Sequence, residues 1–503
     1  MNHQSVDLFR HYCNLGYDNP YYIVLNGKIV VEPDFAEALE ASKEYEGNVT
    51  IDPIAIIELL NTNFCLADRT MIQGIYRTPW QAKPNEEMTD WYFAPVPVHG
   101  NSDLPEKEVA EELFKRICNE IRSYIGNKKK IGILLSGGMD SRMVAGALDY
   151  LKKSGELGDI IVTGLTWGNE NTRDVVYAQE ICRRLGWRWK HYIVTTDDLI
   201  GNISETAAHG CEYSPIHLHA IPRIRDDNDD MEIILAGSYG DSIGRAEYSG
   251  KHVEHLRPIA GRTRNIWMFV YKDVYKELHS HIKDDIELYH RRFPGRKGNS
   301  QNELDYQLHY MRRMLNPCME LLNKKIEFHQ VFTDPSVFGY MWSIKPDKRN
   351  NLVYKNMLKL FVTKLDDIPW ARTGLPFYKE DGIPDNYSKN HHDYQRQIYE
   401  IFYNKIDSKS VIARLDKLNV IDTEMFKNWL SYLRKIKYPR LEILEKLLWL
   451  VSLSEMVENY GIKGIKNHHN ASICFHKPSI QYMYMSKNII QNTKSCLKGM
   501  INR

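Results

Sequence analysis

The stretch Lys130-Ile131-Gly132-Ile133-Leu134-Leu135-Ser136-Gly137-Gly138-Met139-Asp140-Ser141-Arg142 decides the fold of this chain. A short apolar run ends in Ser-Gly-Gly and leads into Asp-Ser and the apolar-rich segment 143–148. This order predicts a buried strand, a tight glycine turn and the start of a helix. Gly137 and Gly138 let backbone N–H groups approach an anion closely. Ser136 and Ser141 add hydroxyl donors, and the helix start adds partial positive charge.

These groups together predict a cradle for phosphate or pyrophosphate. Asp140 would repel a phosphate directly, so we interpret it as a Mg²⁺ ligand, with the metal bridging to phosphate oxygens. No Lys follows the glycines, so the stretch is not the Walker P-loop. Ser-Gly-Gly-x-Asp-Ser instead resembles the PP-loop of the ATP pyrophosphatases. That resemblance implies cleavage of ATP between the α and β phosphates. The alternative is an ordinary glycine turn with a capping Asp.

Size and composition narrow the class of protein. A chain of 503 residues predicts two or three domains. Lys+Arg 66 against Asp+Glu 65 leaves no overall field that would favour nucleic acid or a membrane surface. The eight cysteines form no CxxC pair, which argues against a zinc ribbon or a disulfide scaffold. Without a signal-peptide pattern or an apolar stretch of about 18 residues, we expect a cytoplasmic protein with no membrane span.

Strands and helices alternate around the PP-loop-like stretch. We predict strands at 131–135, 160–166, 190–194 and 232–236, and helices at 106–124, 140–153, 173–185 and 196–208. Such alternation predicts an α/β fold with a doubly wound parallel sheet, whose ligands bind at the carboxyl ends of the strands. The first 95 residues are predicted to hold short β runs at 21–25 and 28–31 and one helix at 53–60. After about residue 265 the sequence pattern predicts mostly helices.

The region from about 106 to 380 resembles the synthetase domain of the class B asparagine synthetases and their relatives. Beyond the PP-loop, the resemblance is carried by four segments: 166–178, 233–244, 332–335 and 354–374. It implies a fold like that of the adenine nucleotide alpha hydrolases and an ATP-dependent, AMP-forming ligase that adenylates a carboxylate and forms an amide. The predicted domains are a glutaminase-like domain at 1–95, the ATP-binding domain at 106–380 and a helical extension at 381–503.

The same resemblance implies the residues of the site. Asp140 and Asp241 would hold Mg²⁺, and Asp241 would also act in catalysis. Lys355 would stabilise charge on the α-phosphate, with Lys359 and Lys364 as rivals. The residues predicted to bind ATP are Leu135, Ser136, Gly137, Gly138, Asp140, Ser141, Arg142, Thr166, Gly237, Ser238, Tyr239, Gly240 and Arg372.

Two departures from the family pattern bear on the substrates. Asp241-Ser242 stands where the family has Asp-Glu, which puts aspartate as the substrate in doubt. Arg142 and the run 368–374 look more like the asparagine synthase-related proteins found among polysaccharide and natural-product genes. The partners that we expect are therefore a small-molecule carboxylate and ammonia or an amine.

The N-terminal region departs further. Class B enzymes begin Met-Cys-Gly, and that Cys attacks glutamine, whereas this chain begins Met1-Asn2 and its first Cys is Cys13. Residues 52–77 nevertheless resemble the late part of a glutaminase domain. We interpret residues 1–95 as a shortened glutaminase-like domain without its nucleophile, and a plain structural β domain is the alternative. Nitrogen would then come from free ammonia, an amine substrate or a separate glutaminase subunit.

Other features are interpreted more simply. His217 and His219 are expected in the core or a substrate pocket rather than on a metal. The acidic run 226–230 and His391-His392 are interpreted as solvated loops, and the helix 443–456 is interpreted as core.

Two alternative functions stay open: another PP-loop chemistry, such as thiolation or NAD synthesis, and a non-catalytic paralogue that binds a nucleotide. Thiolation usually needs cysteine pairs, which the sequence does not show.

Overall fold

The structure is a computed structural model that describes residues 13–16, 19–248, 251–259, 267–379, 381–436 and 440–466. Its N-terminal strands are β1 (Tyr21–Leu25), β2 (Lys28–Glu32), β3 (Tyr76–Arg77), β4 (Ala82–Pro84) and β5 (Trp91–Phe93). The first three form an antiparallel sheet in the order β2-β1-β3, and β4 and β5 form a hairpin. Both β runs predicted from the sequence are therefore present.

Two helices, α1 (Phe35–Glu46) and α2 (Pro53–Thr62), lie between β2 and β3. The prediction of a helix at 53–60 is confirmed. It begins where the Asp52 side chain accepts hydrogen bonds from the Ile54 and Ala55 N–H groups, with Pro53 in the first turn. The sequence analysis did not predict α1, which ends at Gly47 with a left-handed φ of 75°.

The central region alternates strands and helices as predicted. Its elements are α3 (Glu106–Ile125), β6 (Lys130–Leu134), α4 (Met139–Lys153), β7 (Ile161–Trp167), α5 (Arg173–Leu185), β8 (Arg188–Tyr192), α6 (Thr196–Ala208), α7 (Ile221–Asp226) and β9 (Ile233–Ala236). The predicted strand at 190–194 lies two residues too late, and the other predicted bounds agree with the structure within one or two residues.

The elements that follow are shorter. They are α8 (Gly240–Ile243), β10 (Glu247–Tyr248), β11 (Lys251–His252), α9 (Lys272–Leu278), α10 (Ile282–Arg292), α11 (Asn299–Asp305), a π-helix (Tyr306–Leu315), α12 (Asn316–Glu320), β12 (Glu327–Gln330), α13 (Pro335–Ser343), α14 (Asn351–Met357), β13 (Pro369–Trp370) and β14 (Leu375–Pro376). Four helices close the described chain: α15 (Tyr394–Asn404), α16 (Ser408–Asp416), α17 (Thr423–Leu433) and α18 (Leu441–Tyr460).

Five parallel strands form the central sheet in the order β12-β9-β6-β7-β8. The fold class predicted from the sequence is confirmed: an α/β fold with a doubly wound parallel sheet. The edge strand β12 was not predicted, because Glu-Phe-His-Gln contains one apolar residue and lies in a region that reads as helical.

The strand order changes direction between β6 and β9. From β6 the chain runs outward through β7 and β8, then returns to add β9 and β12 on the other side of β6. A crevice opens at such a reversal, outside the carboxyl ends of the two neighbouring strands. The PP-loop-like stretch follows β6, and the Gly237 loop follows β9, so both loops border this crevice.

The hydrophobic core does not divide at residues 95 and 380. One cluster of buried side chains includes Ile57 of α2, Leu165 of β7 and Leu448 of α18. The three predicted domains thus share packing, and their boundaries stay predictions. The 443–456 stretch lies inside α18 and is core, as predicted. None of the described helices is long and apolar enough to cross a membrane.

Candidate functional site

A cavity of about 300 Å³ lies at the carboxyl edge of the sheet, between the loops that follow β6 and β9. Seven residues predicted to bind ATP line it: Leu135, Ser136, Gly138, Asp140, Ser141, Gly237 and Ser238. Leu134, Trp167, Asp174, Ala236, Met319 and His391 complete the wall. The structure therefore brings the core of the predicted site together at the place where the topology predicts a ligand.

The Ser-Gly-Gly loop is held by hydrogen bonds between its own residues. The Ser136 N–H donates to Ser141 Oγ at 3.2 Å, and Ser141 Oγ donates to the Ser136 carbonyl at 3.3 Å. The Gly138 N–H donates to Ser136 Oγ at 3.1 Å. Because α4 begins here, its N-terminal partial positive charge acts at the cavity wall, where an anion would be stabilised.

Two glycines let the second loop pack against the first. A Cβ on Gly237 would lie 2.6 Å from the backbone of Asp140 and Ser141. A Cβ on Gly240 would lie 2.7 Å from the Asp140 Cβ. Since real Cβ atoms do not approach backbone so closely, only glycine permits this contact. The close approach places the start of α8, with Asp241, beside Asp140.

Asp140 and Asp241 form an acidic pair that faces one buried cation. The pKa of the Asp241 carboxyl is raised to about 7, chiefly by burial and also by the charge of Asp140. The Arg245 guanidinium lowers this pKa only in part, although its Nε lies 3.4 Å from Asp140 Oδ1. The pair thus holds more negative charge than its surroundings neutralise.

We expect Asp241→Asn to raise the temperature of thermal unfolding, and to do so more strongly as the pH rises. A carboxyl whose pKa is raised from 3.8 to about 7 by folding contributes stability that is complete below about pH 4 and is lost as the pH approaches 7. The amide does not titrate. The melting difference between variant and wild type, measured without metal or nucleotide, should therefore grow from about pH 4 to 7. A melting difference that does not change with pH would contradict the raised pKa of Asp241.

The oxygen donors of Asp140 and Asp241 suit Mg²⁺, which proteins commonly bind through one or two carboxylates together with substrate phosphates. Like charges this close are costly unless a cation joins them, so the unbalanced charge of the pair fits such an ion. No group of three or more His, Cys, Asp or Glu side chains suited to a metal exists among the described residues. A metal here would therefore need ligands from a nucleotide as well.

Basic side chains continue from the acidic pair. Glu247 forms ion pairs with both Arg245 and Arg372. Both guanidinium groups lie over the Trp370 ring, each 5.3 Å from its centroid. The structure thus places Arg372 beside the predicted site. Arg245 was not predicted, although it directly follows the Gly240–Gly244 turn that carried part of the resemblance.

Helix α14, which carries Lys355, contacts the site through the side chain of Tyr354. The Tyr354 hydroxyl donates to the Gly240 carbonyl at 2.9 Å and is buried, so α14 is anchored on the second loop. The nearby Asp140 charge contributes to raising the pKa of this hydroxyl, after burial. Lys355 is half-buried on the adjacent face of the helix, and its role stays a proposal.

Three predicted ATP ligands have side chains committed elsewhere. Arg142 is fully buried and donates to the backbone carbonyls of Gly137, Leu365, Ile368 and Pro369. Burial lowers the pKa of its guanidinium to about 9. Its donors fix the PP-loop to the 365–369 segment, and direct binding of ATP by Arg142 stays a prediction.

The other two are Thr166 and Tyr239. Thr166 Oγ1 donates to the Leu135 carbonyl at 2.8 Å and accepts from Trp189 Nε1 at 3.1 Å. The buried Tyr239 hydroxyl donates to the Leu15 carbonyl at 3.2 Å, toward the N-terminal segment. Both side chains therefore support the strand ends, and any contact with a nucleotide would come from their backbone. Gly137, in the PP-loop, and Gly240, the first residue of α8, are not among the residues that line the cavity.

Asp174 is a cavity residue that the site prediction missed. Its carboxylate accepts a hydrogen bond from the Gly137 N–H, and burial raises its pKa to about 6. His391 Nδ1 lies 3.9 Å from Asp174 Oδ2, and the Asn169 N–H donates to the His391 carbonyl at 2.7 Å. Asp174, at the start of α5, lies in the segment 166–178 that carried part of the family resemblance, so the sequence did offer a signal for it. His391 was expected in a solvated loop and instead lines the cavity.

The sequence analysis also made predictions for His217, His219 and the acidic run 226–230. His219 is stacked on Trp167, which lines the cavity, and forms a hydrogen bond with the Tyr394 hydroxyl at 2.5 Å. His217 Nε2 lies 3.3 Å from Glu445 Oε1. In the acidic run 226–230, Asp226 pairs with Lys325 and Asp230 with Lys130, in line with a solvated loop.

The profile of a family described as asparagine synthase matches residues 122–435, which is more than half of the chain. Two similar solved structures are the U34-tRNA thiolase NcsA from Methanococcus maripaludis with its [4Fe-4S] cluster and the NMN synthetase from Francisella tularensis. No curated protein sequence matches the chain.

The structural likeness to these two proteins is distant. The thiolase is 16% identical, with a TM-score of 0.22, and the match covers 43% of this chain and 80% of the thiolase chain. The synthetase is 14% identical, with a TM-score of 0.19, and the match covers 51% and 97%.

Proposed function

Because the chain belongs to the asparagine synthase family, we propose that it is an ATP-dependent, AMP-forming ligase that adenylates a carboxylate and converts it into an amide. The observation that carries this proposal is the cavity at the sheet reversal. There the Ser-Gly-Gly loop and the start of α4, with Asp140, line the cavity, and Asp241 at the start of α8 lies beside Asp140. Such a site can bind a triphosphate and stabilise the charge that develops when it is cleaved.

In the first step a carboxylate oxygen of the substrate attacks the α-phosphorus of ATP. An O–P bond forms, the bond between the α-phosphorus and the bridging oxygen breaks, and pyrophosphate leaves with that electron pair. The N-terminus of α4 and the hydroxyls of Ser136 and Ser141 would bind the phosphate oxygens. Arg245 and Arg372, now paired with Asp140 and Glu247, would turn to the departing pyrophosphate.

Asp140 and Asp241 would hold Mg²⁺, with phosphate oxygens completing its coordination. When bound, the ion supplies positive charge that favours departure of pyrophosphate. The two carboxylates and the glycine contact between their loops fix where this charge can lie. Lys355 would add a cation toward the α-phosphate from α14, whose position Tyr354 secures.

In the second step a nitrogen nucleophile attacks the carbonyl carbon of the acyl-adenylate. A C–N bond forms, the C–O bond to phosphate breaks and AMP leaves, while the nitrogen loses a proton. Asp174 is the cavity carboxylate suited to take that proton, because its raised pKa of about 6 leaves it ionised but basic near neutral pH. Its hydrogen bond from Gly137 ties its position to the PP-loop.

We expect no glutamate release from glutamine by this protein. Cys65, Cys118, Cys182, Cys211 and Cys318 are buried, and burial raises the pKa of each thiol, which makes a thiolate costly. Cys13 is partly buried, and its carbonyl accepts hydrogen bonds from Trp80 and Gln81. The measurement is glutamate formation from glutamine, with and without ATP.

The control for that assay is ammonium chloride, which should support amide formation where glutamine does not. Glutamate release that Cys13→Ala abolishes would contradict the prediction and would restore a glutaminase nucleophile to the N-terminal region.

The function is tested by a substrate screen. Purified protein is incubated with ATP, Mg²⁺, ammonium and pools of small carboxylates, and pyrophosphate and phosphate are measured separately. Pools that raise pyrophosphate are divided, and the product is identified by mass spectrometry as the amide of one carboxylate. Nucleotide hydrolysis to phosphate that no pool increases would contradict the ligase proposal.

A further inference from the structure

Tyr239, two residues before Asp241, has an uncommon backbone conformation. Its φ is 68°, in the left-handed region that bulky residues rarely adopt. Its carbonyl accepts hydrogen bonds from the N–H groups of Ser242 at 3.1 Å and Ile243 at 2.8 Å, and from the Ser242 hydroxyl at 3.0 Å. The backbone of Tyr239 therefore sets where α8 begins and, with it, where Asp241 lies.

The Tyr239 side chain is anchored far from the second loop in sequence. A strained conformation persists only where the surrounding structure holds it. The side chain is 1% exposed, and its hydroxyl donates to the carbonyl of Leu15, 224 residues away in the chain, at 3.2 Å. Burial raises the pKa of this hydroxyl, so it keeps its proton and stays a donor. The N-terminal segment thus helps to hold the strained residue.

The Leu15-Gly16 dipeptide is itself fixed by hydrogen bonds from several elements. The Leu15 N–H donates to the Thr333 carbonyl at 3.0 Å, and the Leu15 carbonyl also accepts from Arg312 Nη1 at 3.4 Å. Gln330 Nε2 donates to the Gly16 carbonyl at 2.7 Å. Arg312 lies on the π-helix and Gln330 at the end of β12. The dipeptide therefore lies in a groove between these two elements, with the tyrosine ring as a third wall.

Gly16 shows how closely this dipeptide packs. A Cβ at Gly16 would lie 3.0 Å from Tyr239 Cε2, and 2.7 Å from both Gln330 Nε2 and Thr333 Cγ2. Contacts this short are not tolerated in a close-packed interior, so a side chain here would push the dipeptide out of its groove. A change at Gly16 therefore perturbs the anchor without altering any residue that lines the nucleotide cavity.

We infer that Tyr239 is a positioning residue for the nucleotide site, and that the Leu15-Gly16 dipeptide acts through it. The dipeptide holds the tyrosine side chain, the tyrosine backbone holds the start of α8, and α8 places Asp241 beside Asp140. This gives the N-terminal region a part in the reaction that needs no nucleophile of its own. The consequence for catalysis rests on the proposed function, whereas the coupling between the dipeptide and the second loop does not.

Hydrogen exchange on the full chain without nucleotide measures the coupling directly. Four N–H groups of the segment 240–244 report on the second loop, because each donates to a carbonyl of residues 237–240. Tyr239→Phe removes the hydroxyl and keeps the ring, and should raise the exchange rates of these groups about threefold to tenfold. Gly16→Ala should raise them at least about tenfold, because the whole dipeptide is displaced.

Two control variants separate the second loop from overall stability. Tyr289→Phe removes another buried hydroxyl, which donates to Asp68 at 2.8 Å. It should lower the melting temperature and leave exchange in the segment 240–244 unchanged. Gly201→Ala adds a Cβ that meets no atom within 4 Å, and should not raise exchange there.

The dependence of ATP binding on Mg²⁺ ties the coupling to the site. For Tyr239→Phe, the Mg²⁺ concentration that gives half-maximal ATP binding in calorimetry should rise about threefold to tenfold, because Asp241 is less often in place. Pyrophosphate release at saturating Mg²⁺ should stay within about twofold of the wild-type rate. A general loss of folded protein would instead lower the maximal rate and leave the Mg²⁺ dependence unchanged.

Two results would overturn the inference. One is exchange in the segment 240–244 that neither Tyr239→Phe nor Gly16→Ala raises; if Gly16→Ala does not fold, Tyr239→Phe alone decides. The other is raised exchange with a wild-type Mg²⁺ dependence of ATP binding, since the loop would then move without consequence for the site. A wild-type protein that binds no ATP would contradict the proposed function, and raised exchange in the variants would still support the coupling.

Discussion

Asp140→Asn and Asp241→Asn are each expected to lower the rate of pyrophosphate release by about 100-fold to 1,000-fold, the usual cost of losing one group that stabilises charge in the transition state. The two carboxylates lie at the starts of α4 and α8 and meet beside Arg245. In the proposed function they hold the cation that favours departure of pyrophosphate. The measurement is Mg²⁺-dependent pyrophosphate release with the carboxylate found in the screen.

The matched control is Asp159→Asn, which makes the same change at an exposed residue away from the cavity and should keep the wild-type rate. Circular dichroism and thermal unfolding should show that both site variants remain folded, since Asp140 and Asp241 lie in the first turns of α4 and α8, next to the loops at the strand ends. If both variants release pyrophosphate as fast as the wild type, the acidic pair does not form the site.

Gly237→Ala is expected to abolish nucleotide binding and to lower the free energy of unfolding by about 1–3 kcal/mol or more, the typical cost of overpacking. The added Cβ would lie 2.6 Å from the backbone of Asp140 and Ser141, which cannot move aside as a flexible side chain can. The loop after β9 would have to withdraw from the PP-loop, and the acidic pair would separate. Nucleotide affinity and denaturant unfolding measure the two effects.

Gly201→Ala serves as the control for that change. Gly201 lies inside α6, and a Cβ there meets no atom within 4 Å. Alanine at this position should stabilise the protein by up to about 1 kcal/mol, because it has a higher helix propensity, and should leave nucleotide affinity unchanged. A Gly237→Ala protein with normal affinity would show that contact between the two loops is not needed for the site.

The part of the fold that the sequence predicts best is the segment with the most regular pattern. From 131 to 236, buried apolar runs alternate with amphipathic helices, so four of the five strands and the direction of the sheet follow from periodicity. Strand β12 was missed, because its pairing with β9 depends on a contact about ninety residues apart in the chain and not on its own composition. Helix α1 was missed although its Ala, Leu and Glu residues favour a helix.

The candidate site, like the fold, follows from the sequence only where a local motif defines it. Residues inside the Ser-Gly-Gly and Gly237 loops were predicted to meet, and the structure brings them together at one cavity. Motif position alone cannot say where a side chain points, and Arg142 shows this: it follows the PP-loop Ser yet binds backbone carbonyls of the 365–369 segment. Residues such as Arg245, Tyr354 and His391 reach the site through tertiary packing, which no local pattern records.

The most direct test of the account is which bond of ATP the protein breaks. With the substrate carboxylate and Mg²⁺ but no nitrogen donor, radiolabelled pyrophosphate should exchange into ATP, and a complete reaction should yield AMP and pyrophosphate in equal amounts. Asp140→Asn should lose the exchange. Exchange would also exclude a non-catalytic protein that only binds the nucleotide. Formation of ADP and phosphate, with no exchange of pyrophosphate into ATP in the presence of any carboxylate, would contradict the proposed AMP-forming ligase.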